Sequence, residues 1–168
     1  MRMLGMVLII CINFILQTTL FHYLSIQGIF PNTALIFVVC YALLRGSVEG
    51  AMMGFFTGFL FDTFFGMTLG FYIVPYTLFG YIFGRLQKDF YRENYFLPVF
   101  FSVMASVLYE AYFFCVEWLF RGTFDILFLL LNVLLPITVY TAWMTLPIYR
   151  IMFGFTEHHD AKAKYKYR

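Results

Sequence analysis

The residues that could carry out chemistry in this sequence are few and far apart. A nucleophilic mechanism needs a serine or cysteine within reach of a histidine that acts as general base. His22 lies at the edge of an apolar run and His158 and His159 lie in the hydrophilic C-terminal segment, whereas the three cysteines lie inside apolar runs. The apolar runs also contain no metal-ligand spacing and no glycine-rich phosphate loop. The sequence therefore predicts no catalytic, cofactor or metal site.

Two acidic residues in apolar runs are the candidates for a functional site. Asp62 lies near the end of the third run and Glu110 lies within the fifth. Charged side chains inside a membrane segment are costly and are functional by default. We expect Glu110 to face protein and to be neutral or hydrogen-bonded. Two roles are open for Asp62, which either caps a hairpin turn or binds a partner or ligand at the outer surface.

Glycines around Asp62 follow a four-residue register. Its members are Gly46, Gly50, Gly54, Gly58, Gly66 and Gly70, and Asp62 occupies the remaining position. Residues four apart share one face of a helix, so Gly50, Gly54 and Gly58 form a groove that another backbone can approach closely. Packing against a neighbouring helix of the same chain is the favoured interpretation. A groove for a helix of another protein is the alternative.

Polar side chains on two other runs point to further helix contacts. Gln17 and Thr18 lie near the end of the first run, and amide side chains in lipid need hydrogen-bond partners. Ser102, Ser106 and Glu110 share one face of the fifth run, at intervals of four residues. We expect these residues to pack helices together or to contact a partner.

The elements that position these residues follow from composition. Of 168 residues, 62% are hydrophobic and 12% are charged, and the mean hydropathy is +0.83. Soluble domains are about 45–50% apolar and about 25% charged, so lipid must be the solvent for most of this chain. At about 20 residues per crossing, the length allows six spans. The fold class predicted is an all-α polytopic membrane protein, and the net charge of +2 does not indicate a nucleic-acid partner.

Apolar runs divide the chain into six predicted spans. They cover about residues 3–24, 31–44, 48–65, 70–84, 95–119 and 126–147. The second run is short for a crossing and begins at Pro31, with Asn32 as a possible helix cap. Residues 1–154 are predicted to form the membrane domain, and residues 155–168 a basic cytoplasmic tail.

The distribution of basic residues predicts the orientation. With both termini in the cytoplasm, ten of the 11 Lys and Arg residues lie inside and only Arg121 lies outside. Cytoplasmic loops of membrane proteins carry the excess of basic residues. The sequence therefore predicts a six-helix transmembrane bundle with the N and C termini inside.

Several of these motifs together resemble a known family. They are Gln17-Thr18-Thr19-Leu20-Phe21, Pro31-Asn32, the glycine register with Asp62, and Gly80-Tyr81-x2-Gly84. In these segments the chain is similar to the rod shape-determining protein MreD family, and the fifth and sixth runs match it in hydropathy and length. The family often has an aspartate after that proline, where this chain has Asn32.

The resemblance implies a non-enzymatic subunit of the bacterial cell-elongation machinery, which serves cell shape and peptidoglycan synthesis in the cytoplasmic membrane. It implies MreC as a partner, a single-span protein with a large outside domain. It further implies direct or indirect contact with RodA and its penicillin-binding transpeptidase, and contact with membrane lipids. Whether the chain forms a homo-oligomer is left open. The resemblance also implies a fold similar to the S components of energy-coupling factor transporters.

Two functional hypotheses result. In the first, the chain is a scaffold whose glycine groove, with the outer ends of the first and third helices, receives the helix of MreC. In the second, it is a small-molecule-binding subunit of an energy-coupling factor type transporter, with a central cavity lined by Gln17, Asp62 and Glu110. S components typically dock through an Ala-x-x-x-Ala motif on their first helix. The first run here contains no alanine, which favours the scaffold.

Overall fold

The computed structural model describes residues 2–20, 31–65, 70–86, 96–121 and 134–166, and these residues form α-helices and no strands. The six helices are α1 (Arg2–Ile15), α2 (Thr33–Arg45), α3 (Ser47–Phe65), α4 (Ile73–Arg85), α5 (Phe96–Arg121) and α6 (Leu135–Lys166). A π-helical turn, Leu16–Leu20, continues α1. The prediction of an all-α fold is confirmed for the described residues.

The helix bounds agree best with the predicted spans in the middle of the chain. Helices α2 to α5 begin and end close to the predicted positions. Helix α6 differs, because it continues through Pro147 to Lys166, beyond the predicted end of the sixth span. A proline removes one helical hydrogen bond. The side chains of Tyr149 and Met152, which lie after it, are buried in the core and hold the helix in place.

Helix α2 lies at the centre of the bundle. It contacts all five other helices, and its residues from Thr33 to Leu44 are buried except for the partly buried Phe37. A helix that is apolar on all sides packs in the interior of a protein. Its 13 residues are short for a membrane crossing, and its neighbours shield it from the surroundings.

Two groups of side chains pack on opposite sides of α2. On one side, α1, α3 and α6 contribute residues such as Ile10, Met53 and Tyr149. On the other side, α4 and α5 contribute an aromatic group that includes Tyr76 and Tyr109. The second group brings the first turns of α4 close to α5, and this part of the molecule contains the candidate site.

The outer surface of the bundle is apolar. Phe96 on α5 is 74% exposed and Trp143 on α6 is 72% exposed, which suits contact with lipid chains. Among the described residues, the segment Phe96–Val116 is long and apolar enough to cross a membrane, and Gly5–Thr19 and Thr33–Arg45 are apolar but shorter.

Candidate functional site

The glycines of α3 mark the closest approach between two helices. Gly50, Gly54 and Gly58 are buried and lie against α4. A Cβ atom on Gly54 would overlap the carbonyl oxygen of Tyr76, and one on Gly58 would lie 2.5 Å from the Cα atom of Ile73. These contacts are with backbone atoms, so only glycine permits this separation of the two helices.

Glycines on α4 complete the same interface. A Cβ atom on Gly80 would overlap the carbonyl oxygen of Gly50, and one on Gly84 would overlap the Cα atom of Ser47. Helix α4 therefore fills the groove along its length. This finding corrects the hypothesis that the groove receives a helix of MreC, because the face is already occupied within the chain.

The register ends at the turn between α3 and α4. Gly70 has a φ angle of +107°, a conformation that residues with a Cβ atom rarely adopt. Gly66, the other register member predicted here, lies outside the described residues. Gly70 therefore belongs to the candidate site through its backbone, which directs the chain into α4.

Asp62 caps the beginning of α4. Its Oδ2 atom accepts hydrogen bonds from the N–H groups of Gly70 at 2.7 Å and Ile73 at 3.2 Å, and its Oδ1 atom accepts one from Tyr72 at 2.8 Å. The side chain is only 4% exposed. The first N–H groups of a helix lack intrahelical partners and attract negative charge. Of the two roles considered for Asp62, the structure shows the capping role.

Gln17 performs a similar task for α2. Its Oε1 atom accepts hydrogen bonds from the Thr33 hydroxyl and from the Ala34 N–H group, both at 2.9 Å. Gln17 lies in the π-helical turn Leu16–Leu20, a type of irregularity that often occurs at functional sites. The amide thus connects the end of α1 to the first turn of α2.

Asn32 connects the same end of α2 to α4 and α5. Its Oδ1 atom caps α2 by accepting from the Leu35 N–H group at 3.1 Å, as the sequence predicted, and also accepts from the Tyr76 hydroxyl at 3.1 Å. The Tyr109 hydroxyl lies 3.4 Å from that of Tyr76, and the two rings are stacked with centroids 5.4 Å apart. The polar network therefore joins α2, α4 and α5 at one end of the bundle.

A cavity of about 240 Å³ lies beside this network. Its lining residues are Gln17, Thr18, Asn32, Phe61, Phe65, Tyr72, Tyr76 and Tyr109. The sequence predicted a cavity lined by Gln17, Asp62 and Glu110 for a small-molecule-binding function. Of these three, only Gln17 lines the cavity, because the carboxylate of Asp62 is turned toward the backbone of α4 and Glu110 lies outside the lining.

Glu110 follows Tyr109 on α5 and interacts electrostatically with Tyr76 and Tyr109 of the polar network. It is half-buried on α5, and its carboxyl group has no hydrogen-bond partner among the described residues. Ser102 and Ser106, on the same helix face, are buried, and the hydroxyl oxygen of Ser106 likewise lacks a partner in the described part of the chain. Of the two states expected for Glu110, neutral or hydrogen-bonded, the hydrogen-bonded one is not found in this part of the chain.

Reactive side chains do not gather in the described part of the chain. No group of three His, Cys, Asp or Glu side chains is arranged there to hold a metal ion. Cys40 is buried, and Cys11 and Cys115 are exposed on different helices. His22 lies outside the described residues. The arrangement that the structure does show binds helix ends to one another.

Sequence reasoning missed the aromatic part of the site. Tyr76 and Tyr109 carry the hydroxyl groups of the network, and Phe61 and Tyr72 form part of the cavity wall. The chain has 24 Phe and 13 Tyr residues, so an aromatic residue in an apolar run is not distinctive. The glycine register, which places α3 against α4, was the only available signal for the position of Tyr76.

Comparison with known proteins gives a match at the level of the family. The family model described as rod shape-determining protein MreD matches residues 1–158. No curated protein and no solved structure matches the chain. The family match covers almost the whole sequence, including the glycine register, the capping residues and all of α5.

Proposed function

Because the chain belongs to the rod shape-determining protein MreD family, a family of membrane proteins, we propose that it is a non-catalytic scaffold of the bacterial cell-elongation complex. The family implies the role in rod shape determination. The observation that supports a scaffold is the use of the polar side chains. Asp62, Gln17 and Asn32 hold the ends of helices together, as in a molecule that presents rigid helices to other proteins.

The proposed setting is the cytoplasmic membrane, with six spans and both termini inside. The excess of basic residues in the loops assigned to the inside supports this topology. It puts the cavity and the caps of α2 and α4 at the outer surface. Alkaline phosphatase and green fluorescent protein fusions at the C terminus test it. We expect the green fluorescent protein fusion to be fluorescent and the alkaline phosphatase fusion to be inactive. An active phosphatase fusion would contradict the topology.

The proposed partner is MreC, through which RodA and the penicillin-binding transpeptidase would be reached. Since α4 fills the glycine groove, we place the contact on another face. Glu110 supports a surface on α5, because its carboxyl group has no partner among the described residues. A carboxylate within a membrane span is costly unless protein groups satisfy it, and a donor from a neighbouring helix would do so. Val107, which lies three residues before Glu110 on the same helix face and is exposed, supplies an apolar part of this surface.

Co-purification with MreC tests both the function and the surface. Recovery of MreC with the wild-type protein tests the function. Glu110→Leu is expected to reduce that recovery, whereas Glu110→Gln, which can still form hydrogen bonds, is expected to retain most of it. Trp143→Leu is the control, because Trp143 is an exposed apolar side chain on a different helix, α6.

The outcomes separate the two parts of the proposal. If the wild-type protein does not recover MreC, the scaffold function is contradicted. If the wild-type protein and Glu110→Leu recover MreC equally, only the surface is contradicted. A thermal unfolding measurement on each variant confirms that lost recovery is not caused by lost folding.

No observation favours the transporter alternative. Two of the three residues expected to line its ligand cavity, Asp62 and Glu110, do not line the cavity that is present. A similarity in fold to the S components of energy-coupling factor transporters stays part of the proposal, based on the family, and carries no transport function with it.

A further inference from the structure

The cavity beside the polar network has no role in the scaffold function. Phenylalanine and tyrosine rings form most of its wall. A cavity of about 150 Å³ accommodates benzene, so one of about 240 Å³ holds roughly ten non-hydrogen atoms. This volume is below the roughly 300–1,000 Å³ of sites that enclose whole drug-sized ligands. The cavity therefore suits one end of a longer molecule.

Two hydrogen-bond donors of the lining have no partner in the described part of the chain. The side-chain oxygens of Gln17 and Asn32 are occupied by the caps of α2, so each amide has its nitrogen left for another contact. Neither nitrogen has a partner among the described residues. An amide nitrogen donates and cannot accept, so both atoms require acceptor oxygens. The π-helical turn places Gln17 and Thr18 together in this wall.

The described lining is neutral, which limits the ligand further. No Asp, Glu, Lys or Arg is among the described residues that line the cavity. The nearby carboxylate of Asp62 accepts three backbone hydrogen bonds and is not turned toward the cavity. A charged group would lose its hydration without gaining a counterion here. The complementary ligand carries a neutral oxygen acceptor attached to an apolar body.

We propose that this cavity binds a carbonyl group of acyl-ester type together with the first carbons of its chain. The carbonyl oxygen accepts from the amide nitrogens of Gln17 and Asn32, and the chain lies against the rings of Tyr76 and Tyr109. This chemistry has two sources, the ester region of a membrane lipid and a free small ester. The limited volume favours the lipid, whose remaining chain continues into the bilayer. The inference is independent of the proposed binding of MreC.

Photolabelling tests the site directly. The probe is diacylglycerol with a diazirine on the acyl carbons next to the ester, incubated with the full-length protein in detergent. Thr18→Trp fills the cavity from its wall, whereas Thr19→Trp adds the same side chain at the neighbouring exposed position, which is not part of the lining. We expect labelled peptides to contain Tyr72, Tyr76 or Tyr109. We also expect the labelling of these peptides to fall to the background level in Thr18→Trp and to be unchanged in Thr19→Trp.

Equal labelling of the two variants, or labelling confined to other peptides, would overturn the proposal. If Thr18→Trp does not fold, Phe65→Trp replaces it, because Phe65 lines the cavity and its neighbour Phe64 provides the matched control Phe64→Trp. Native mass spectrometry of the purified protein then identifies the source. The informative adduct is present on the wild-type protein and the control variant and absent from the cavity-filling variant. We expect its mass to be that of a phospholipid or of a small ester, and an adduct that carries no ester contradicts the assignment.

Discussion

Replacing Gly54 with alanine tests whether α3 and α4 are held at backbone contact distance. The added Cβ atom would overlap the Tyr76 carbonyl oxygen and would lie 2.5 Å from the Tyr76 carbonyl carbon. Ordinary contacts begin at 3.4 Å, so α4 would have to retreat by about 1 Å. Because the obstacle is backbone and not the end of a flexible side chain, a change of rotamer cannot relieve it.

The expected loss follows from two opposing effects. Overpacking of a well-packed interface costs about 1–3 kcal/mol, and contact with backbone places this site at the upper end. Alanine recovers up to about 1 kcal/mol through its higher helix propensity. The net loss in the free energy of unfolding is about 2 kcal/mol, which corresponds to a decrease in Tm of roughly 4–8 °C for a chain of this size.

Thermal unfolding in detergent, followed by the loss of the monodisperse peak in size-exclusion chromatography, measures this effect. The matched control is Gly154→Ala on α6, where a Cβ atom would meet nothing within 4 Å. We expect that control to match or slightly exceed the wild-type Tm. If Gly54→Ala is as stable as Gly154→Ala, the glycines do not hold α3 against α4, and the groove is again available to a partner helix.

Three further predictions concern the polar network. Asp62→Ala is expected to lower the free energy of unfolding by about 2 kcal/mol, because it removes the cap of α4. Asp62→Asn is expected to lower it by less, since one acceptor oxygen remains, and equal Tm values for the two variants would contradict this. Gln17→Leu should accelerate hydrogen exchange at the Ala34 amide, while Gln17→Glu should preserve its protection. Tyr76→Phe should cost about 1 kcal/mol by denaturant titration, whereas Tyr81→Phe, at an exposed position, should cost nothing measurable.

The sequence was sufficient to predict the helices but not the central place of α2. Runs of apolar residues between polar segments identified six helices, and Asn32 marked the beginning of α2. Lipid-facing and protein-facing side chains are both apolar in a membrane protein, so hydrophobic periodicity does not distinguish them. The glycine register did carry this information, because a missing side chain indicates close approach of another backbone.

The candidate site was predictable only in its polar half. Asp62 and Gln17 stood out because polar groups in apolar runs need partners, and each caps a helix. The partners themselves depend on contacts between residues far apart in sequence, such as that between Asn32 and Tyr76. Glu110 was grouped with Asp62 because both are acidic residues in apolar runs, and nothing local in the sequence showed that it forms no hydrogen bond with the described residues of the network.

The short length of two helices explains why the polar residues concentrate at one end of the bundle. Helices α2 and α4 have 13 residues each, so their unpaired terminal N–H groups are a large fraction of all their backbone donors. Asp62, Gln17 and Asn32 satisfy groups at the ends where both helices begin. Substitutions that remove these polar groups should therefore reduce the amount of folded protein, whereas Glu110→Leu should reduce only the recovery of MreC.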